Sequence, residues 1–147
     1  MRGVPEGNDM SDRTYDVQPV GWVQSSLTDR AAAPRQGDEG APLARIVLRP
    51  AFVEAARDLH PGDRIIVLTW LHLGSRDVLA VHPRGDPRRP LTGVFATRSP
   101  DRPNPIGLHP VTIETVDEDA ISVRGLEAID GTPVLDIKPV LGAMDQR

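Results

Sequence analysis

The second half of the chain repeats one pattern, in which short stretches alternate apolar and polar residues between turn-forming residues. From position 77 to position 140 this pattern occurs in five stretches, DVLAVHP, GVFATR, PVTIETV, AISVRGL and VLDIKPV. Successive side chains of a β-strand point to opposite faces, so these stretches are typical of strands with one buried face. Their spacing predicts an antiparallel barrel or sandwich, and the lack of βαβ alternation disfavours a Rossmann domain.

Three further strands and one helix are predicted upstream. The continuous apolar run DRIIVLTWLHL (63–73) is expected at the centre of a sheet, and residues 17–26 and 43–49 alternate well enough for strands. A short helix is predicted to begin at Pro50, because proline suits the first helical position. Its apolar residues share one face and are expected to pack on the sheet: Val53, Ala56 and Leu59.

Composition limits the possible functions. A chain of 147 residues fits one domain, and its 15 prolines and 13 glycines disfavour a helical bundle. The net charge of −4 argues against general binding of polyanions, although residues 84–102 hold five arginines against two aspartates. Without cysteine there is neither a disulfide nor a thiolate metal site, and the histidines lack metal-ligand spacing, so no metal is expected.

The chain is predicted to be one domain behind a tail. Residues 1–16 are polar and lack periodicity, which predicts a disordered tail, with the domain over residues 17–147. No apolar run approaches the roughly 18 residues of a membrane span, and the first residues lack the apolar core of a secretory signal. We therefore expect a soluble cytoplasmic protein without a membrane partner.

The segment RSPDRPNPIG (98–107) concentrates rigid and polar residues after a predicted strand. Its three prolines restrain the backbone without any regular hydrogen bonding. Such a loop can hold polar side chains in fixed directions, as a binding or catalytic site requires. The side chains concerned are Arg98, Ser99, Arg102 and Asn104. The alternative is a proline-rich corner that only turns the chain.

Other polar groups could also carry chemistry. Residues 34–36 (PRQ) offer a guanidinium fork and an amide, although surface solvation is the simpler explanation. His72 closes the most apolar strand and is either a core residue or a ligand contact. Asp130 begins a turn, and Asp136 and Lys138 lie two apart on one face of the next strand. The alternative for that pair is a surface ion pair of little stabilising value.

Two long motifs, GVFATRSPDRPNPIG and DGTPVLDIKP, together with PRQ and the strand ending at His72, resemble the TsaA-like (TrmO) family of tRNA methyltransferases. The resemblance covers residues 17–140 and implies a small, mostly antiparallel β-barrel that acts as a homodimer. It also implies that S-adenosylmethionine is the cofactor and binds near the dimer interface. The residues matched to that site by position are Pro34, Arg35, Gln36, His72, Arg98, Leu108, Leu126 and Glu127.

The family's reaction places a methyl group on N6 of threonylcarbamoyl-adenosine beside the anticodon of a tRNA, which makes tRNA the implied partner. Because adenine N6 is a poor nucleophile, some group must accept its proton or polarise it. Asp130 and Asp136, the latter beside Lys138, are candidates by type, and Asn104 could orient the adenine; the sequence does not rank them. Contacts to tRNA are expected from two basic segments, through Arg84, Arg88, Arg89, Ser99 and Arg102.

Two other functions stay open. The same cofactor could serve a small-molecule acceptor or another RNA, which the acidic net charge makes credible. A non-catalytic, cofactor-binding regulatory dimer would use the same pocket without any transfer. Assays of methyl transfer to defined acceptors would separate all three.

Overall fold

The computed structural model describes residues 12–26 and 43–142, and within them the fold is built from eight strands. They are β1 Gly21–Gln24, β2 Ala44–Leu48, β3 Arg64–Trp70, β4 Ala80–Val81, β5 Thr92–Gly93, β6 Ile106–Val116, β7 Ala120–Arg124 and β8 Pro133–Pro139. Six strands close a barrel in the order β1, β2, β7, β6, β3 and β8, and every pairing is antiparallel. The predicted mainly-β fold is confirmed, and it is a barrel rather than a sandwich.

The core lies inside the barrel, where the strands alternate buried and more exposed side chains. In β3 the side chains of Ile65, Val67 and Thr69 are buried, while their neighbours are partly exposed. β3 pairs with β6 on one side and β8 on the other, which matches its predicted central place. The core residues with branched side chains are Val23, Ile46, Leu48, Ile65, Val67, Val111, Ile113, Ile121, Val123, Leu126 and Val134.

The predicted helix forms at its expected place as a 3₁₀ helix, Pro50–Ala56. This geometry is common in short helical pieces. The predicted face is confirmed, since Val53, Ala56 and Leu59 pack partly buried against the core. In the described part of the chain no helix is long and apolar enough to cross a membrane.

The prediction of a strand at GVFATR (93–98) is wrong. Only Thr92–Gly93 pairs, with Ala80–Val81, and the next three residues form a 3₁₀ turn, Val94–Ala96. Within that turn Val94 is 3% exposed whereas Phe95 is 86% exposed. The alternation in the sequence therefore reflects a single buried anchor in a turn and not a half-buried strand. The upstream stretch DVLAVHP likewise contributes only two strand residues.

The predicted tail and domain boundary stay predictions. Residues 1–11 lie outside the described residues, and so do residues 27–42 and 143–147. Regular pairing begins beside Val20, whose amide donates to the carbonyl of Val134 over 2.7 Å.

Truncation of Ile113, which is fully buried in β6, tests the position of the core. We expect Ile113→Ala to lower the free energy of unfolding by about 2–5 kcal/mol and Ile113→Val by about 1 kcal/mol, because the larger truncation leaves the larger cavity. Urea denaturation followed by tryptophan fluorescence measures both values. Equal effects of the two variants would contradict the packing described here.

Candidate active site

A wide cavity opens where β3 ends and β6 begins. Its walls come from the segments after β3, between β4 and β6, and after β7, and from one end of β6 itself. The cavity measures about 2410 Å³, whereas pockets for a single drug-sized molecule measure about 300–1,000 Å³. It therefore extends over more of the surface than one small ligand would cover.

Two neighbouring loops contribute to the wall: the first loop (residues 71–77) and the proline loop (residues 98–105). The amide of Ser75 donates to the carboxylate of Asp101 over 2.9 Å. The carbonyl of Ser75 accepts a hydrogen bond from the amide of Arg102, also over 2.9 Å. The rigidity predicted from the prolines is thus reinforced by bonds to the neighbouring loop.

Close packing and an arginine complete the contact between the loops. A Cβ atom on Gly74 would lie 2.3 Å from the carbonyl oxygen of Pro100, so a residue without a side chain is needed at this approach. Arg76 donates from Nε to the carbonyl of Pro103 and from Nη2 to Oδ1 of Asn104, each over 2.8 Å. The first loop therefore holds both the path of the proline loop and one of its side chains.

Arg102 and Ser99 also stabilise the proline loop from within. Arg102 donates from Nη1 to the carbonyls of Thr97 and Ser99 over 3.0 Å each. The hydroxyl of Ser99 accepts a hydrogen bond from the amide of Asp101 over 3.1 Å. Both residues also line the cavity. These two side chains therefore brace the loop and also lie in the cavity wall.

The residues predicted to bind the cofactor fall into three groups. Leu126 is fully buried in the barrel core and supports the wall from behind. Pro34, Arg35 and Gln36 lie outside the described residues. The remaining four line the cavity: His72, Arg98, Leu108 and Glu127.

Two of the three arginines predicted between β4 and β5 line the cavity, namely Arg84 and Arg89. Arg84 adopts the left-handed conformation, with φ 55° and ψ 22°, which few residues other than glycine adopt. Arg88 is not among the lining residues and pairs with Asp86 at 3.1 Å. The hydrogen bonds from Arg88 hold the pKa of Asp86 below its ordinary value.

Among the predicted catalytic residues, Asn104 lines the cavity and the other three lie elsewhere. Asp136 and Lys138 pair with each other at 3.1 Å, with about half of each side chain exposed. Asp130 accepts a hydrogen bond from the amide of Ser25 over 3.0 Å, at a separate small groove. Across residues 12–26 and 43–142, no three acidic or histidine side chains gather as metal ligands.

His109 is a cavity residue that sequence reasoning missed. It is only 7% exposed, and its Nε2 lies 2.8 Å from the hydroxyl of the fully buried Thr69. A Cβ atom on Gly107 would come within 2.5 Å of that hydroxyl and 2.7 Å of Nε2, so the glycine leaves room for the pair. The sequence did contain a signal for its burial, because His109 alternates with the buried Val111 and Ile113 on the same face of β6.

The histidine is neutral at ordinary pH. Burial, and to a smaller extent the positive charge of Arg98, lowers the pKa of His109 from 6.5 to about 4. A neutral imidazole has one donor nitrogen and one acceptor nitrogen. The ring therefore adds polarity to the wall without adding a second positive charge beside Arg98.

The closed barrel and its wide, arginine-lined cavity define a small β-barrel domain built to bind polar ligands. Residues 22–146 match the family described as the tRNA-methyltransferase O N-terminal domain. The chain belongs to this family, which confirms the resemblance predicted from its motifs.

Several known proteins resemble the chain over most of its length. A protein of Methanothermobacter thermautotrophicus, named "Probable S-adenosyl-L-methionine-binding protein", is 44% identical over 136 residues, which cover 92% of this chain and 97% of the relative. An Archaeoglobus fulgidus protein, named "S-adenosyl-L-methionine-binding protein", is 41% identical over 122 residues, or 83% and 86% of the two chains. A crystal structure of TrmO from Pseudomonas aeruginosa matches with a TM-score of 0.70 and 33% identity, covering 88% of this chain and 57% of that one. The chain thus spans little more than half of that TrmO.

The burial of His109 predicts how stability depends on pH. The unfolded histidine binds a proton below about pH 6.5 and the folded one only below about pH 4. Between these values the unfolded state holds more protons, so the free energy of unfolding falls as pH decreases through the window. We expect His109→Gln to remove up to roughly 3 kcal/mol of this fall. Urea denaturation of both proteins between pH 6.5 and about pH 4 measures this difference. If the free energy of unfolding changes equally with pH in the two proteins, the burial of His109 is contradicted.

Proposed function

We propose that this chain methylates N6 of threonylcarbamoyl-adenosine beside the anticodon of tRNA. The reaction class follows from the family: the chain is an S-adenosylmethionine-dependent methyltransferase, and S-adenosylmethionine is its cofactor. The observation that carries the finer proposal is the cavity of about 2410 Å³, lined by six arginines from four segments. Such a cavity leaves room for a nucleotide beside the cofactor and offers positive charge to its phosphates.

The side chains of the cavity fit the chemical groups of the cofactor. The planar guanidinium of Arg98 suits the carboxylate of the methionine part, and the carboxylate of Glu127 suits its amine. Leu108 and the neighbouring Ile106 offer apolar cover for the adenine ring. His72 and residues 34–36 complete the proposed set by their position in the motifs.

Bound S-adenosylmethionine supplies a methyl group activated by a sulfonium. The chain's own task is to align the acceptor with that group and to exclude water. Asn104 is the predicted catalytic residue that stands in the cavity, and it is our candidate for orienting the adenine. Asp130, Asp136 and Lys138 lie outside the cavity, so a role in proton removal requires that they serve a second protomer.

The exposed apolar residues at the rim support a homodimer. Four apolar residues of the cavity are between 42% and 86% exposed in the single chain: Phe95, Leu73, Ile106 and Leu108. Monomeric proteins rarely expose large contiguous apolar surfaces. A second copy on this rim would bury the apolar residues and narrow the cavity. Sedimentation equilibrium distinguishes a dimer from a monomer.

A small-molecule acceptor is the second candidate. It is favoured by the net charge of −4, since an acidic protein pays an electrostatic penalty when it approaches a polyanion. In that case the arginines of the cavity would bind a single phosphate or carboxylate group.

The deciding experiment is transfer to tRNA. We expect bulk tRNA from cells lacking the gene to lack the N6-methylated, threonylcarbamoylated nucleoside, and the purified protein with S-adenosylmethionine to restore it. Mass spectrometry of digested tRNA measures both results. An unchanged nucleoside profile, together with methyl transfer to a small-molecule pool, would replace the tRNA proposal with the second candidate.

Arg98 tests the proposed site more locally. We expect Arg98→Ala to weaken binding of S-adenosylhomocysteine by about tenfold or more, because a charge-assisted hydrogen bond is lost. Arg57→Ala is the matched control, since Arg57 is an exposed arginine that pairs with Glu54 outside the cavity. Isothermal calorimetry measures both affinities. Equal affinities of the two variants would remove Arg98 from the proposed set.

A further inference from the structure

Arg76 has no role in the function described so far, and the geometry points to one: it fixes the amide of Asn104 so that only hydrogen-bond donors face the cavity. Arg76 is then a positioning residue, and Asn104 recognises a hydrogen-bond acceptor on a bound ligand. The inference rests on the proposed function for the identity of that ligand. It adds a residue and a direction of hydrogen bonding that the family motifs do not specify.

Arg76 is held by the barrel and by the proline loop at the same time. Its guanidinium lies 5.2 Å from the centroid of the Trp70 ring, within the range of a cation–π contact. Trp70 is the last residue of β3, so this contact anchors the arginine to the barrel. Nε and Nη2 then reach the carbonyl of Pro103 and Oδ1 of Asn104, each over 2.8 Å.

The chemistry of the guanidinium decides which way the amide points. Arginine has five N–H donors and no acceptor, so the atom of Asn104 that faces it must be the oxygen. The other end of the amide, Nδ2 with its two N–H groups, is left for other partners. Within residues 12–26 and 43–142 the Asn104 side chain makes only the bond to Arg76. Because Asn104 lines the cavity, its donors are available to a ligand there.

A donor-only asparagine has a restricted function. It cannot accept the proton that leaves an attacking nitrogen, so it binds and orients and does not act as the base. It selects a carboxylate oxygen, a carbonyl oxygen or a ring nitrogen. The cofactor carries a carboxylate, and a threonylcarbamoylated nucleotide carries carbonyl and carboxylate oxygens. The experiment therefore needs two measurements, one of cofactor binding and one of the reaction with tRNA.

The orientation of Asn104 can be tested apart from the path of the loop. The bonds between Ser75 and Asp101 and between Ser75 and Arg102 do not involve the Arg76 side chain, and they also hold the proline loop. A substitution at position 76 is thus expected to disturb the Asn104 amide more than the backbone.

Asn104→Asp is the most informative variant. Its carboxylate keeps an acceptor toward Arg76 and gains a charge-assisted bond, but it has no N–H donor for the cavity. We expect an unchanged or higher melting temperature. We also expect binding to be weakened about tenfold or more, either to S-adenosylhomocysteine or to tRNA. A weaker Kd for S-adenosylhomocysteine places the acceptor on the cofactor. A raised KM for tRNA from cells lacking the gene places it on the tRNA. Unchanged values of both constants overturn the inference.

Two substitutions at Arg76 form the second arm. Arg76→Lys keeps a donor, whereas Arg76→Glu presents an acceptor and would turn the amide so that Oδ1 faces the cavity. Asn104→Asp is expected to change either the Kd for S-adenosylhomocysteine or the KM for tRNA. We expect Arg76→Glu to change the same one of these two constants, and Arg76→Lys to leave it close to the wild-type value. Equal losses in the two variants would show that Arg76 acts only through loop stability, which also overturns the inference.

The two proposals can fail separately. If the wild-type protein binds S-adenosylhomocysteine but modifies no tRNA, the tRNA proposal fails and calorimetry alone decides the role of Asn104. If the wild-type protein modifies tRNA and Asn104→Asp does so with the same constants, the tRNA proposal stands and the orientation of Asn104 has no bearing on binding.

Discussion

The close pairing of the first loop with the proline loop is the constraint on which the cavity depends. β3 and β6 are neighbours over seven paired positions, from Arg64 opposite Thr112 to Trp70 opposite Ile106, so the two loops start side by side. One more backbone bond, from Leu71 to Pro105, extends this contact over 2.7 Å. Beyond it the prolines cannot donate to a ladder, and side chains make the connections together with one backbone bond, from the amide of Arg102 to the carbonyl of Ser75. The barrel thus sets the positions of the loops, and polar side chains set their shape.

In this wall, different polar side chains carry the positive charge, the neutral polarity and the bracing of the loop. Arg98 brings fixed positive charge to the cavity, and the buried His109 stays neutral because burial, and then the charge of Arg98, lowers its pKa. Arg102 donates from Nη1 to two carbonyls of its own loop, so it contributes to the shape of the wall as well as lining it. In the proposed site, Arg98 and Asn104 join His72, Leu108 and Glu127 in recognising the ligands.

Local pattern predicted much of the barrel and part of the site. Alternation identified the barrel strands because each has one face in the core, and the clustered prolines identified the loop that carries Asn104. Alternation failed at Val94, where one buried side chain in a turn imitates a strand. His109 was missed because the predicted strand began one residue too late to include it. Arg76 was not predictable, since its partner is 28 positions away and only strand pairing brings them together. Matching by motif position also cannot give a side chain's direction: Leu126 was matched to the cofactor site, and its side chain packs in the core.

The missing side chain at Gly107 links three positions that are distant in sequence. Any larger residue there would strike Thr69 and His109 before it met anything else. Natural drift or laboratory evolution at this position must therefore proceed by compensation, in which a methyl group gained at position 107 accompanies smaller or displaced side chains at both of the others. Libraries that vary single codons would find every alternative at Gly107 harmful, whereas libraries that vary the trio together would open new shapes for the floor of the pocket.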